Sequence, residues 1–124
     1  MSVKNKLEHL KIDLSFAPKA VGSYLAYKIS KNIVYISGQL PIKKDGSLVI
    51  GKIGENLTID EGKKAAFLCG VNILAQLNLA CNNNLEIVKN CLKINGYVNS
   101  TNIFTDQPII INPVSELIVN VFGE

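Results

Sequence analysis

Apolar positions along this chain change their period several times, and each change marks an element. Leu7, Leu10 and Ile12 form an apolar stripe that predicts a short helix over residues 4–11, with His9 on its polar side. Ala17-Pro18-Lys19-Ala20-Val21-Gly22 is an irregular entry, punctuated by proline and glycine. Residues 24–30 and 32–38 then read as two strands joined by a turn at Ser30-Lys31-Asn32. Within the second, Ile33-Val34-Tyr35-Ile36 is almost continuously apolar, which predicts burial on both faces. Gly38-Gln39-Leu40-Pro41 ends it abruptly. Lys44-Asp45-Gly46-Ser47 reads as a turn and Leu48-Val49-Ile50 as a short edge strand.

The period then becomes helical. Thr58-Ile59-Asp60-Glu61 is a capping box, in which the threonine hydroxyl takes a free amide of the first turn and the glutamate reaches back. Ala65, Cys69, Ile73, Leu77 and Ala80 recur at steps of three or four and predict the face that packs on a sheet. Asn82-Asn83-Asn84 after Cys81 stops the helix, because asparagine tolerates the left-handed conformation of a helix end. From residue 88 to 98 the period falls to two, with Val88, Leu92, Ile94 and Val98 on one face. Lys89, Cys91, Lys93, Asn95 and Tyr97 take the other, so a strand is predicted. A second long helix is expected to begin at Asn112, with Pro113 preset for its first position and Val114, Leu117, Ile118 and Val121 as its stripe. The predicted class is α+β, with two helices on one face of a sheet. The opposite face would carry Tyr27, Tyr35 or Tyr97 among polar residues, which suggests an oligomer. After Gly123 the pattern calls for a further strand.

Length limits this to one domain: 124 residues, 48% hydrophobic and 19% charged, describe an ordinary folded chain with a single core. No apolar run is long enough to span a bilayer, and the polar start Met1-Ser2-Val3-Lys4-Asn5 offers no signal segment, so a cytoplasmic protein is expected. All 13 basic residues are lysines, which removes the usual bidentate clamp for carboxylates and phosphates. Those lysines are scattered and tryptophan is absent, so nucleic-acid binding is not supported. Cys69, Cys81 and Cys91 have no metal-ligand spacing and read as buried reduced thiols. No metal or cofactor is expected.

No nucleophile elbow or phosphate loop occurs, and His9 is far in sequence from every cysteine. What remains are polar groups at element ends, each with two readings. Ser37-Gly38 closes the second strand, where glycine lets a ligand approach the backbone or simply makes a turn. Asn112 caps a helix or meets a ligand. Tyr24 walls a pocket or packs in a strand.

Two segments taken together go further. Ala17-Pro18-Lys19-Ala20-Val21-Gly22-Ser23-Tyr24 and Ile33-Val34-Tyr35-Ile36-Ser37-Gly38-Gln39-Leu40-Pro41 resemble the Rid family, the YjgF-type reactive-intermediate deaminases. Its older label is endoribonuclease L-PSP, or translation inhibitor. Asn95-Gly96-Tyr97-Val98-Asn99-Ser100, Phe104-Thr105-Asp106-Gln107-Pro108 and Val121-Phe122-Gly123-Glu124 look like one subgroup of it. The resemblance implies a chorismate-mutase-like fold with a mixed sheet, in a homotrimer whose ligand pockets lie in clefts between subunits. It implies hydrolysis of a 2-imino acid, or its enamine tautomer, to a 2-oxo acid and ammonia. Tyr24, Ser37, Gly38 and Asn112 would be the substrate-binding residues, and a small carboxylate the ligand. The family's carboxylate-holding arginine and water-placing glutamate would fall beyond Glu124, so the chain reads as a single Rid-like domain, 1–124, lacking the last strand. Two other readings follow: a non-catalytic trimeric module that binds small carboxylates or protein partners, and the endoribonuclease of the older label.

Overall fold

A computed structural model describes residues 1–123; Glu124, the last residue of the subgroup block, lies outside the described residues. The elements are α1 (Val3–His9), β1 (Tyr27–Ser30), β2 (Ile33–Ile36), α2 (Ile59–Ala80) and α3 (Gln107–Phe122), with a short 3-10 turn at Leu85–Ile87. The fold is α+β, as the pattern predicts.

α2 forms where the capping box requires. Thr58 Oγ1 accepts from the Glu61 amide at 3.1 Å, and Glu61 Oε1 accepts from the Thr58 amide at 3.0 Å. It ends as the asparagine run predicts, with Asn82 and Asn83 at φ of 53° and 64°. The buried stripe, however, is not the predicted one. Gly62, Ala66, Gly70 and Leu74, at steps of four, are buried, whereas Ala65, Cys69, Ile73, Leu77 and Ala80 are half-buried. Small side chains explain the difference, because they let α3 approach the α2 backbone: a Cβ on Gly70 would sit 3.0 Å from Leu117 Cδ2.

α3 starts at Gln107, five residues before the predicted Asn112. Its start signal is Asp106-Gln107-Pro108, with proline at the first turn, where a missing N–H costs nothing. The Gln107 side-chain amide donates to the Phe104 carbonyl at 2.8 Å, holding the entry. Pro113 therefore lies inside the helix, where it leaves the Ile109 carbonyl without its usual donor. The predicted apolar stripe holds: Val114, Leu117 and Val121 are buried, together with Ile110.

Two apolar clusters form between these helices. Ile53, Ala66, Ile110 and Val114 make one, with Leu57, Ile94, Val98 and Phe104 against it. Leu74, Leu117 and Val121 make the other, covered by Val3, Leu7, Ile12 and Leu14 from the first segment. Each large aliphatic side chain so buried contributes about 1.5–3 kcal/mol. α1 is tied down at its start, where Glu86 Oε1 accepts from the Val3 amide at 2.6 Å across 83 residues.

β1 and β2 form an antiparallel hairpin with Tyr27 opposite Ile36 and Ile29 opposite Val34. Lys31 takes the left-handed turn position at φ 55°. The hairpin is smaller than the mixed sheet that the resemblance implies. β2 is also not buried on both faces: Val34 and Ile36 are half-buried, while Ile33 and Tyr35 are exposed. α2 covers one side only, so the Lys28, Ser30, Ile33 and Tyr35 face is bare among the described residues. Residues 48–50 contribute only a single bridge, Leu48 to Ile42, instead of an edge strand. Residues 88–98 do not form the predicted strand. Among the described residues no neighbouring strand supplies a ladder there, and pairing begins at Ser100, which bridges to Ile53. The alternation survives in part, since Ile94 and Val98 pack inward, but Leu92 is exposed. Among the described residues no helix is long and apolar enough to cross a membrane.

Candidate functional site

The site grows from two loops that α2 holds. Residues 18–21 and 38–42 form the walls of a small pocket, completed by Tyr24 and Ala26. From α2, buried Gln76 donates its side-chain amide to the Pro18 carbonyl at 2.6 Å. One turn earlier, buried Asn72 donates to the carbonyls of Leu40 at 3.0 Å and Ile42 at 3.1 Å.

Two of the four candidate residues line the pocket, and a third adjoins it in the chain. Tyr24 and Gly38 line the pocket, and Ser37 is the residue before Gly38. The Tyr24 hydroxyl accepts a long hydrogen bond from the Val21 amide at 3.4 Å. Ser37 is heavily committed: its hydroxyl donates to the Leu25 carbonyl, its amide donates to Ala26, and its carbonyl accepts from the Gln39 side chain. Its hydroxyl lone pairs are what it can still offer a ligand. Among the described residues Lys19 is the one charged residue of the lining. The pocket is partly open to solvent, and its volume is about 10 Å³, room for about one water.

Gly38 stands apart from the chain's other glycines. Every other one either has positive φ or would bring a Cβ to within about 3 Å of a neighbour. Gly38 has neither constraint, and nothing lies within 4 Å of where its Cβ would be. Nothing within the described residues requires glycine at this lining position.

Asn112 is not brought to this pocket. It lies on the exposed side of α3, in a groove of about 310 Å³ with Lys63, Pro108, Ile109, Pro113 and Glu116. Its side-chain amide donates to Glu116 Oε1 at 2.7 Å, one turn on, and it caps no helix.

Electrostatic perturbations fall elsewhere. A hydrogen bond from Lys44 holds Asp13 at about 2, below the ordinary aspartate value. The Thr58 amide lowers Glu61, and the Ser47 hydroxyl lowers Asp45. Burial pushes the Cys69 thiol up to about 11 and raises Cys81 as well. All three cysteines are free, but Cys91 is exposed, contrary to the expected burial, because its segment never joins a sheet. His9 is exposed at the end of α1. Among the described residues no group of three His, Cys, Asp or Glu side chains is placed to hold a metal ion.

Sequence reasoning missed Lys19, Asn72 and Gln76. The two amides had a signal, being polar residues one turn apart in the otherwise apolar stretch of α2.

Comparison with known proteins agrees with this architecture. The chain is 37% identical over 122 residues to protein TCP17 of Trypanosoma cruzi, covering 98% of this chain and 76% of that one. The crystal structure of Atu1372 from Agrobacterium tumefaciens, a protein of unknown function, superposes with a TM-score of 0.85 at 36% identity, over 98% of this chain and 75% of that one. A structure described as "a putative endoribonuclease" from Shewanella oneidensis MR-1 superposes with a TM-score of 0.92 at 28% identity, over 99% of this chain and 81% of that one. Residues 5–124 match the family model described as "YjgF/chorismate mutase-like, putative endoribonuclease". With nearly its whole length inside that match, the chain belongs to the YjgF/chorismate mutase-like family.

Proposed function

We propose that the pocket between residues 18–21 and 38–42 binds a small amino-acid-derived carboxylate, and that the reaction is hydrolysis of a 2-imino acid to a 2-oxo acid and ammonia. The observation that carries this is Gly38, a lining glycine with no cause inside the chain and open space where its Cβ would be. A ligand in contact with the backbone supplies that cause. Lys19 balances the carboxylate as a point charge, in a chain without arginine. The Tyr24 hydroxyl proton has no protein acceptor among the described residues, so it is free to hydrogen-bond the imine nitrogen. Water adds to the carbon of the C=N bond and gives one proton to the nitrogen; the hydroxyl of the resulting carbinolamine then passes its proton to the nitrogen as C=O forms, and cleavage of the C–N bond releases ammonia.

The same reading includes a homotrimer. The pocket volume is only about 10 Å³ and Asn112 lies outside its lining, which supports a site completed by a neighbouring copy that brings its own residues over the mouth of the pocket. Three free cysteines suit the reducing cytosol.

The test supplies an imine generated in situ from an L-amino acid by an amino-acid oxidase and follows ammonia release. We expect the protein to accelerate release and Gly38→Val to abolish the acceleration. Equal rates with and without protein would sink the reaction. Binding without turnover is the second reading, supported by a pocket lining that, among the described residues, holds no carboxylate or imidazole to act as a general base. In that case pyruvate binds, by calorimetry, to the unmodified chain and not to the valine variant. Cleavage of RNA, the label attached to the family, would instead need a basic face and an acid–base pair. The lysines are dispersed and the single histidine lies on α1.

A further inference from the structure

Asn72 and Gln76 are each 2% exposed, on a helix whose neighbouring residues are mostly apolar. A buried amide without partners is costly, so such residues need a bonding reason to be there. Here the partners are not in α2 or α3 but in the two loops that wall the pocket, 30 to 58 residues away in sequence. Gln76 holds the Pro18 wall and Asn72 holds the Leu40–Ile42 wall, so both walls are referenced to one rigid helix. Each carbonyl so held would otherwise face an apolar helix without a donor.

We infer that Asn72 and Gln76 are positioning residues that set the separation of the pocket walls, and through it the length of carbon chain the pocket accepts. This rests on the reading that the pocket binds a small carboxylate. Neither residue lines the pocket, so both act through the backbone of residues 18 and 40–42. Replacing either with an apolar residue of similar size keeps the volume filled and removes the amide that holds the wall carbonyl.

The experiment compares Asn72→Leu, Gln76→Met and the unmodified chain, with Leu74→Ala as a variant that weakens the core without touching either wall. Two readouts are taken. Hydrogen exchange should rise about tenfold in residues 17–21 for Gln76→Met and in 39–43 for Asn72→Leu, each leaving the other wall unchanged. The ratio of pyruvate to 2-oxobutanoate affinity, which differ by one methylene, should shift at least about fivefold in both variants and not in Leu74→Ala. A space-filling role would leave the ratio fixed. Unchanged wall exchange in both variants, or exchange that rises everywhere as in Leu74→Ala, would overturn the inference. If the unmodified chain binds neither acid, the functional reading falls, and hydrogen exchange alone then decides whether the walls are held this way.

Discussion

Gly62 sits so close to Ile53 that a methyl group added there would lie 2.4 Å from Ile53 Cδ1, with Ile110 Cδ1 at 3.1 Å on another side. Both isoleucines are buried, at 4% and 3% exposure, so either can yield only by displacing its own packed neighbours. Gly62→Ala gains about 1 kcal/mol of helix propensity but meets an overpacking cost of about 1–3 kcal/mol. The expected net effect is destabilisation by about 1 kcal/mol, read as a lower urea midpoint at unchanged slope. Gly38→Ala, with open space around it, should be neutral or stabilising by up to about 1 kcal/mol.

Pro113 predicts a gain in the opposite sense. It interrupts α3 at a position where any other residue would donate to the Ile109 carbonyl. An interior proline costs about 3 kcal/mol, and losing its half-buried ring offsets part of that. Pro113→Ala should stabilise by about 1–2 kcal/mol, seen as a higher thermal midpoint; a lower midpoint would show that the ring is needed for packing.

Acid should act through Asp13. Its folded pKa of about 2 lies below the ordinary 3.8, so its contribution is complete above the higher value and is lost as pH falls towards the lower. Lys44→Met removes the main cause of the depression. The variant should therefore lose less stability than the parent between about pH 4 and 2. Because the pair is exposed, the difference should shrink in high salt.

The thiols should separate by rate. Exposed Cys91 should react with iodoacetamide at pH 8 well before Cys69, which is held near 11, and Cys81, which burial also raises. Peptide mapping after brief exposure checks the order, and simultaneous labelling of all three would contradict it.

What the sequence disclosed depended on the range of the interaction involved. Thr58 and Glu61 are three residues apart, and their reciprocal bonds could be read directly from the residue types. The asparagines after Cys81 were equally local. The start of α3 was misplaced because two proline signals compete, Asp106-Gln107-Pro108 and Asn112-Pro113, and only tertiary packing chooses the first and tolerates proline inside the helix. The α2 stripe was misplaced because the pattern weighs hydrophobicity, while the interface selects small size at Gly62 and Gly70. Residues 88–98 have the alternation of a strand, but a strand also needs a partner, which alternation cannot supply.

The site divides along the same line. Tyr24, Ser37 and Gly38 lie close in the chain and are grouped by a hairpin, so a motif marks them. Asn112 belongs to another element, and no local pattern could say which surface it would occupy. Asn72 and Gln76 stand out as polar residues in an apolar stretch, but their partners are illegible, being loop carbonyls that every residue type carries alike.

The bond between Val3 and Glu86 has a consequence for local stability. It closes a loop of 83 residues, and the elements that α1 packs against are α3 and the 3-10 turn at 85–87, both distant in sequence. That closure entropy must be met before the contact returns any stabilisation. No residue of α1 is buried, so little surface rewards an early attachment. In the native state the amides of α1 should therefore open at lower free energy than those of α2 and α3, which hydrogen exchange reads directly.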